Sequence, residues 1–355
     1  MDSVKYVGMD VHQATIVIAV LDGSGKLLME SIIETQAATI LQFIQGLKGT
    51  LYVTFEEGIY SAWLYDLLSP NVAQVVVCDP RENALLKVGN QNDRIDARKL
   101  ADLLRAGLLT AVWHGGHSLR GLKELARSYV VLTRDATRVM SRLKALYRGR
   151  GIRYVGRQVY LLRHRQGWLE QLREPGVCRC AERLYQQLDL LQSLRQEARR
   201  DLVKESRKYR ATSLLRTIPC LGPIRVALLV ALVQTAHRFR IKRQFWAYIG
   251  LALETRISGE YRLVAGQLQR ADKALAKRGV SPNHNHELKN IFKASATGGS
   301  VRPGPFRAFY ESKLTQGMRP EMARLTLARK IAAITLTLWK KGVRFDPEEL
   351  QPQAA

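Results

Sequence analysis

The sequence predicts an α/β domain that leads into a long, charged helical segment and then a mainly α C-terminal domain. Three observations predict it. Strand-like alternation and helical periods succeed one another over residues 4–112, a narrow apolar seam runs through the middle, and two helix-forming stretches flank a Pro/Gly turn near 219–223. At 355 residues with 46% hydrophobic content, the chain can fill two or three compact cores.

The charge balance narrows the function classes. Lys and Arg number 56 against 31 Asp and Glu, a formal net charge of +25. Such an excess points to a polyanion, most simply nucleic acid held through its phosphates. It is spread along the chain, so basic faces on folded elements are expected rather than an appended arm. Cys78, Cys178, Cys180 and Cys220 form no CxxC pair and no metal-finger spacing, which argues against disulfides and structural zinc and fits a reducing cytosol. The N-terminus MDSVKYVGMD carries no apolar signal core, and no run approaches the ~18 apolar residues of a membrane span. A cytoplasmic protein with no membrane partner is expected.

In chain order, strands are predicted at 4-VKYVGMDV-11, 15-TIVIAVLD-22, 27-LLMESIIE-34, 51-LYVTFEE-57 and 74-QVVVCD-79, the second turning into the third through Asp22-Gly23-Ser24-Gly25. Helical periods occupy 37-AATILQFIQGL-47, 60-YSAWLYDLL-68 and about 93–106. A leading meander followed by alternating helices and strands is the order of a ribonuclease-H-like (RuvC-like) domain. From about 117 to 210, Ala181, Leu184, Leu188, Leu191, Ala198 and Leu202 recur at three-, four- and seven-residue steps, as in a coiled-coil helix. The basic connectors 148-RGRGIRYVGRQ-158 and 163-RHRQ-166 read either as solvated loops or as a nucleic-acid face carrying Arg148 and Arg150.

The stretch 214-LLRTIPCLGPIRVALLVALV-233 has a helix-hairpin-helix layout, whose turn amides can hold a phosphate. It is followed by 237-HRFRIKRQFWAYIG-250, which offers Arg238, Arg240, Lys242 and Arg243 to nucleic acid, with Arg256 a little further on. The glycine-rich 296-ATGGSVRPGP-305 reads as a loop, and a final amphipathic helix covers about 320–341. The expected domains are 1–114, 115–210 and 211–346, with 347–355 as a tail.

Four acids stand out in this basic chain. Asp10 and Glu56 end the first and fourth strands, and converge if those strands are neighbours. Asp93 and Asp96, at i and i+3 in 91-QNDRIDARKLADLL-104, share one helix face. Collected together, the four would repel unless a divalent cation lay between them, Mg²⁺ (or Mn²⁺) being the natural occupant. Alternatives remain: Asp10 as a turn residue, Asp93 as an N-cap with Asp96 at N3, or Asn92 as the cap with both aspartates released. Glu57 and Asp79 compete near the same edge, and alternation puts Glu57 on the opposite side from Glu56. The pairs His114/His117 and 283-NHNHE-287 lack a metal-site context, and His12 receives no role. Ser258, before Gly259, is by itself an ordinary turn residue.

Taken in order, these motifs resemble the transposases of bridge-RNA-guided insertion sequences, relatives of the Piv-type DNA invertases. The resemblance rests on 7-VGMDVH-12, 55-FEEGIYSAWLYDLL-68, 92-NDRIDARKLADLL-104, 218-IPCLGPIRVALLVAL-232, 243-RQFWAYIGL-251 and 257-ISG-259, and covers about residues 4–346. It implies that Asp10, Glu56, Asp93 and Asp96 bind metal and that Ser258 is the nucleophile of a phosphoserine recombination. It also implies duplex donor and target DNA, a structured bridge RNA, a dimer or tetramer with a site shared between subunits, and a bacterial or archaeal, nucleoid-associated setting. Two departures stand out: Leu288-Lys289 in 278-RGVSPNHNHELKNIF-292 where the family has Leu-Arg, and Cys220 where glycine is common. A Mg²⁺-dependent junction resolvase using water and a non-catalytic nucleic-acid-binding regulator remain as alternatives.

Overall fold

The computed structural model describes residues 3–83, 92–114, 119–258, 261–270, 275–280 and 283–347, and for 254–258, 262, 268, 270, 275–278 and 280 the backbone alone. It divides into two compact units, 1–117 and 118–355.

The first unit is built on a mixed five-stranded sheet. Its strands are β1 (Val4–Val11), β2 (Thr15–Asp22), β3 (Leu27–Glu34), β4 (Thr50–Glu56) and β5 (Gln74–Cys78), in the order β3-β2-β1-β4-β5. β1, β2 and β3 form an antiparallel meander, while β4 and β5 join in parallel on the other side of β1. The helices are α1 (Ala37–Gly46), α2 (Ser61–Leu68), the short α3 (Pro80–Asn83) and α4 (Asp93–Arg105). The predicted strands and helices are present with ends within a residue or so, and α3 is an addition.

Period-two alternation sorts the sheet's side chains into two layers. On one face Val7, Met9, Ile16, Ile18, Val20, Val53 and Phe55 pack with Ile40 and Ile44 of α1 and Leu64 and Leu68 of α2. Met9 and Phe55 are both fully buried, which stabilises the fold by roughly 1.5–3 kcal/mol each. On the opposite face Val17 and Ala19 of β2 meet Ala97 of α4.

In the second unit two long helices, α5 (Arg120–Arg148) and α7 (Pro175–Ser206), run against each other, with the short α6 (Arg165–Leu169) in the connection. Ala136, Val139, Leu143 and Tyr147 pack with Ala181, Tyr185 and Leu188. The hydroxyls of Tyr147 and Tyr185 lie 3.1 Å apart and Tyr185 donates to the Val159 carbonyl at 2.9 Å. Burial pushes both phenols up from their ordinary value, which keeps them neutral donors.

A second core gathers α8 (Arg210–Leu215), α9 (Pro223–Val233), α10 (Lys242–Tyr248), α11 (His286–Val301), α12 (Pro305–Thr315) and α13 (Pro320–Lys341). α9 is sealed on every side from Val226 to Ala231, which accounts for its unbroken apolar run. Four short strands form two antiparallel pairs: β6 (Leu253–Ser258) with β9 (Leu275–Val280), and β7 (Tyr261–Val264) with β8 (Gln267–Arg270).

One expectation is corrected. Residues 296–301 are not loop but the last turns of α11, and the break is confined to 302–304 before Pro305 opens α12. Interior glycines cost a helix about 1 kcal/mol each. Here Gly299 admits Phe306, since a β-carbon at 299 would sit 3.2 Å from Phe306 Cβ, and burial of Ser295, Ala296 and Phe306 offsets the cost. Tertiary packing overrides the local signal.

Candidate active site

The site is assembled by one backbone crossing. β1 and β4 are parallel and in register to Met9 and Phe55, so Asp10 and Glu56, one residue further on each strand, stand level at the same sheet edge. Alternation places Asp10 on the same face as Gly8. A β-carbon at Gly8 would run into the carbonyl of Ala97 and the backbone nitrogen of Ala101, so α4 can lie directly on β1 only because all three residues are small. This crossing carries the first turn of α4 past the strand end.

Asn92 decides what that turn can do. It adopts an extended conformation, and its side-chain oxygen accepts from the Ile95 amide at 2.8 Å, so Asn92 is the N-cap and neither aspartate is used in capping. Asp93 and Asp96 both sit in the first turn, where the helix dipole favours acids. Farther along, Arg98 pairs with Glu30 of β3 and pins the helix to the meander; Arg98 holds the Glu30 carboxyl below the usual carboxylate range.

Among the described residues, donor atoms of Asp10, His12 and Asp93 lie within 4.8 Å of one another. His12 Nε2 is 3.2 Å from Asp10 Oδ2 and 3.6 Å from Asp93 Oδ2. Glu56 and Asp96 fall outside that tight group, although both are half-buried, and the buried Asp96 Oδ1 receives no hydrogen bond among the described residues. A hard-oxygen donor set with a desolvated carboxylate oxygen fits a divalent cation. His12 was passed over in the sequence, where a signal existed: Asp-x-His at the end of a strand puts both side chains on one face.

The competing acids are otherwise employed. The Glu57 carboxylate accepts from His114 Nε2 at 2.8 Å, and His114 stacks on Tyr65. Asp79 Oδ1 accepts from the Arg81 amide at 2.9 Å and starts α3. His117 lies outside the described residues. The rings of His284 and His286 are 4.4 Å apart, with His284 Nε2 3.3 Å from Lys289 Nζ. Desolvation holds the Lys289 ammonium below its ordinary value.

Ser258 is the last residue of β6, paired in register with Leu275; its side chain, like that of Arg256, lies outside the described ones. Of the expected nucleic-acid residues, Arg148 covers the Tyr154 ring and Arg150 pairs with Glu174. Arg238 lies over Phe239 and Tyr248, and Lys242 over Trp246, while Arg240 and Arg243 are exposed. No helix among the described residues is long and apolar enough to cross a membrane.

Comparison with known proteins gives concordant matches to both units. Residues 7–149 match a family model for DEDD transposases of the IS110 type, described as "Transposase", and residues 212–310 match one described as "Transposase IS116/IS110/IS902 family". The chain is 25% identical over 264 residues to a "Putative transposase" of Sinorhizobium fredii, covering 72% of this chain and 65% of that protein. It is 26% identical over 142 residues to an uncharacterized protein of insertion element IS116 from Streptomyces clavuligerus, covering 40% of this chain and 32% of that one. The matched parts thus span less than two thirds of either relative. With two separate family matches that together take in more than half of its residues, the chain belongs to the IS110/IS116/IS902 family of transposases.

Proposed function

We propose that the chain is a DNA transposase that cuts and rejoins strands through a covalent phosphoserine, guided to donor and target DNA by a bound bridge RNA. The observation that carries the reading is the backbone crossing at Gly8, which brings Asp93 to Asp10 and His12 at the end of β1. The sheet order β3-β2-β1-β4-β5 supports a ribonuclease-H-like (RuvC-like) first domain. Helices of 29 and 32 residues packed along each other support a coiled-coil segment within 115–210 and its use in dimer or tetramer assembly. Residues 211–346 form the serine-bearing domain, and 347–355 a tail.

A divalent cation, Mg²⁺ or Mn²⁺, held by Asp10, Glu56, Asp93 and Asp96 would supply Lewis acidity toward the phosphate oxygens. By themselves the carboxylates would repel a phosphodiester, so their part would be to hold the cation at the end of β1 and β4. The Ser258 hydroxyl attacks phosphorus and gives its proton to solvent, the bond to the 3′ oxygen breaks, and that oxygen takes up a proton from solvent. The products are a 5′-phosphoserine link and a free 3′-hydroxyl. Because one phosphodiester is exchanged for another, rejoining needs no energy source.

The test is a denaturing gel of protein, Mg²⁺, suicide DNA substrate and the RNA that copurifies with the chain. A DNA-protein adduct that Ser258→Ala abolishes is expected, with ribonuclease treatment reducing its yield. Absence of any adduct, or one that persists in the alanine variant, rejects the phosphoserine step and favours hydrolysis.

A further inference from the structure

We propose that the turn between α8 and α9, together with the C-terminal half of α7, forms a groove that grips the sugar-phosphate backbone of duplex DNA independently of base sequence. The inference rests on the reading of the chain as a DNA transposase and adds to it a binding site remote in sequence from the carboxylates.

Two hollows define the groove. One, of about 530 Å³, is lined by the turn Arg216–Arg225 together with Arg199 and Arg302; the other, of about 460 Å³, lies along α7 from Gln196 to Arg207. Both include Arg199 and Pro223, so they are contiguous. A lone anion needs one such hollow, whereas a polymer with repeating phosphates fills a row of them.

Some arginines on and around α5 and α7 are neutralised by carboxylates, Arg127 by Glu124, Arg134 by Glu287, Arg138 by Asp135 and Arg165 by Asp189. What sets the two hollows apart is that their cations converge on one concavity. Among the described residues, Arg199, Arg200, Lys204, Arg207, Arg216 and Arg302 have no carboxylate partner, and all six are exposed. Concentrating unpaired cations along one concavity is unfavourable for the isolated fold and becomes favourable when phosphates enter.

The turn itself is shaped for close backbone approach. Cys220 takes φ +67°, and its carbonyl accepts from Arg225 Nη1 at 2.7 Å, which fixes the turn at the hollow it lines. α9 begins at Pro223, so the Ile224 and Arg225 amides in its first turn have no carbonyl within the helix to donate to. Ile218, Pro219, Leu221 and Ile224 supply an apolar floor suited to deoxyribose.

The lining also selects among nucleic acids. No aromatic side chain lines either hollow, so the stacking that single-stranded RNA and DNA sites use is missing from it. Among the lining residues the only side-chain amide is Gln196 and there is no carboxylate, so the polar lining is mainly cationic and suited to phosphates.

The test measures binding of the full-length chain to a short labelled duplex of arbitrary sequence across a salt series. The triple variant Arg199→Ala/Arg216→Ala/Arg302→Ala is expected to weaken binding at least about tenfold at moderate salt, and to lower the slope of log affinity against log salt by roughly two to three. A control triple, Arg173→Ala/Arg179→Ala/Arg183→Ala, removes equal charge from exposed positions near the other end of α7 and is expected to change both far less. Single Arg302→Glu, with melting checked, provides the same readout in a lighter substitution. Equal losses in both triples, or unchanged binding in the groove variants, overturn the proposal, as does loss of single-stranded RNA binding with duplex binding intact. Duplex binding is read without any adduct, so the groove triple tests the groove, while the adduct assay on the wild-type chain tests the phosphoserine reading separately.

Discussion

Gly8 and Ala97 meet backbone to backbone: the Ala97 carbonyl occupies the space a β-carbon on residue 8 would need. The crossing sets the height of α4 over the sheet, and so the distance from Asp93 to Asp10. Gly8→Ala is therefore expected to cost about 3 kcal/mol or more through overpacking against main chain that cannot yield, and to reduce metal-dependent DNA cleavage beyond what the lost stability explains. Thermal melting alongside cleavage assays checks it; a variant that melts and cleaves like the wild type refutes this account of the site.

Asp96 has a buried oxygen that receives no hydrogen bond among the described residues. With chelator present, Asp96→Asn should melt no lower than the wild type, because a desolvated charge is removed. Added Mn²⁺ should then raise its melting temperature less, and cleavage should drop by at least about 10²-fold. His12→Ala should weaken Mn²⁺ binding by about tenfold with cleavage retained at saturating metal.

Cys220 adopts a left-handed backbone that costs a residue with a β-carbon about 1–2 kcal/mol. Cys220→Gly relieves this, while the greater freedom of glycine in the unfolded chain takes part of the gain back. A net stabilisation below about 1 kcal/mol is expected, and Cys220→Val, β-branched in that region, should destabilise by about 1–3 kcal/mol. Urea midpoints of the two variants should move in opposite directions.

Glu30 has its carboxyl lowered by the hydrogen bond and charge of Arg98. A depressed folded-state value means that this pair stabilises the fold at pH above the ordinary glutamate range, and that the contribution is lost as pH falls through the folded-state value. Glu30→Gln should therefore flatten the acid limb of the stability profile from the ordinary glutamate range, about pH 4.5, downward, leaving the profile above it unchanged. An unaltered acid limb would show that the pair does not hold α4 to β3.

The local grammar of this chain was sufficient for the elements of the first unit. Alternation and turn residues located all five strands, and Asn92 stood as one of two possible caps for α4. Asp10, Glu56, Asp93 and Asp96 could be singled out because a basic chain has few reasons to place acids at strand ends and in a helix's first turn. His12 was legible in the Asp-x-His spacing and was passed over, since one residue gives no sign of what approaches from another element. The glycines of 296–301 misled for the same reason: a glycine looks alike whether it breaks a helix or makes room for Phe306.

By itself the sequence determined the periodicities, the charge excess and the family motifs, all of which are written in spacing along the chain. Only the tertiary structure decided that α4 lies on Gly8, that Asn92 rather than Asp93 caps it, and that His12 joins Asp10 and Asp93. It also decided that the unpaired arginines of α7 share a concavity with the α8–α9 turn. Those relations depend on contacts between residues far apart in the chain, and such contacts are fixed by packing of backbones and side chains in space, which a one-dimensional pattern does not encode.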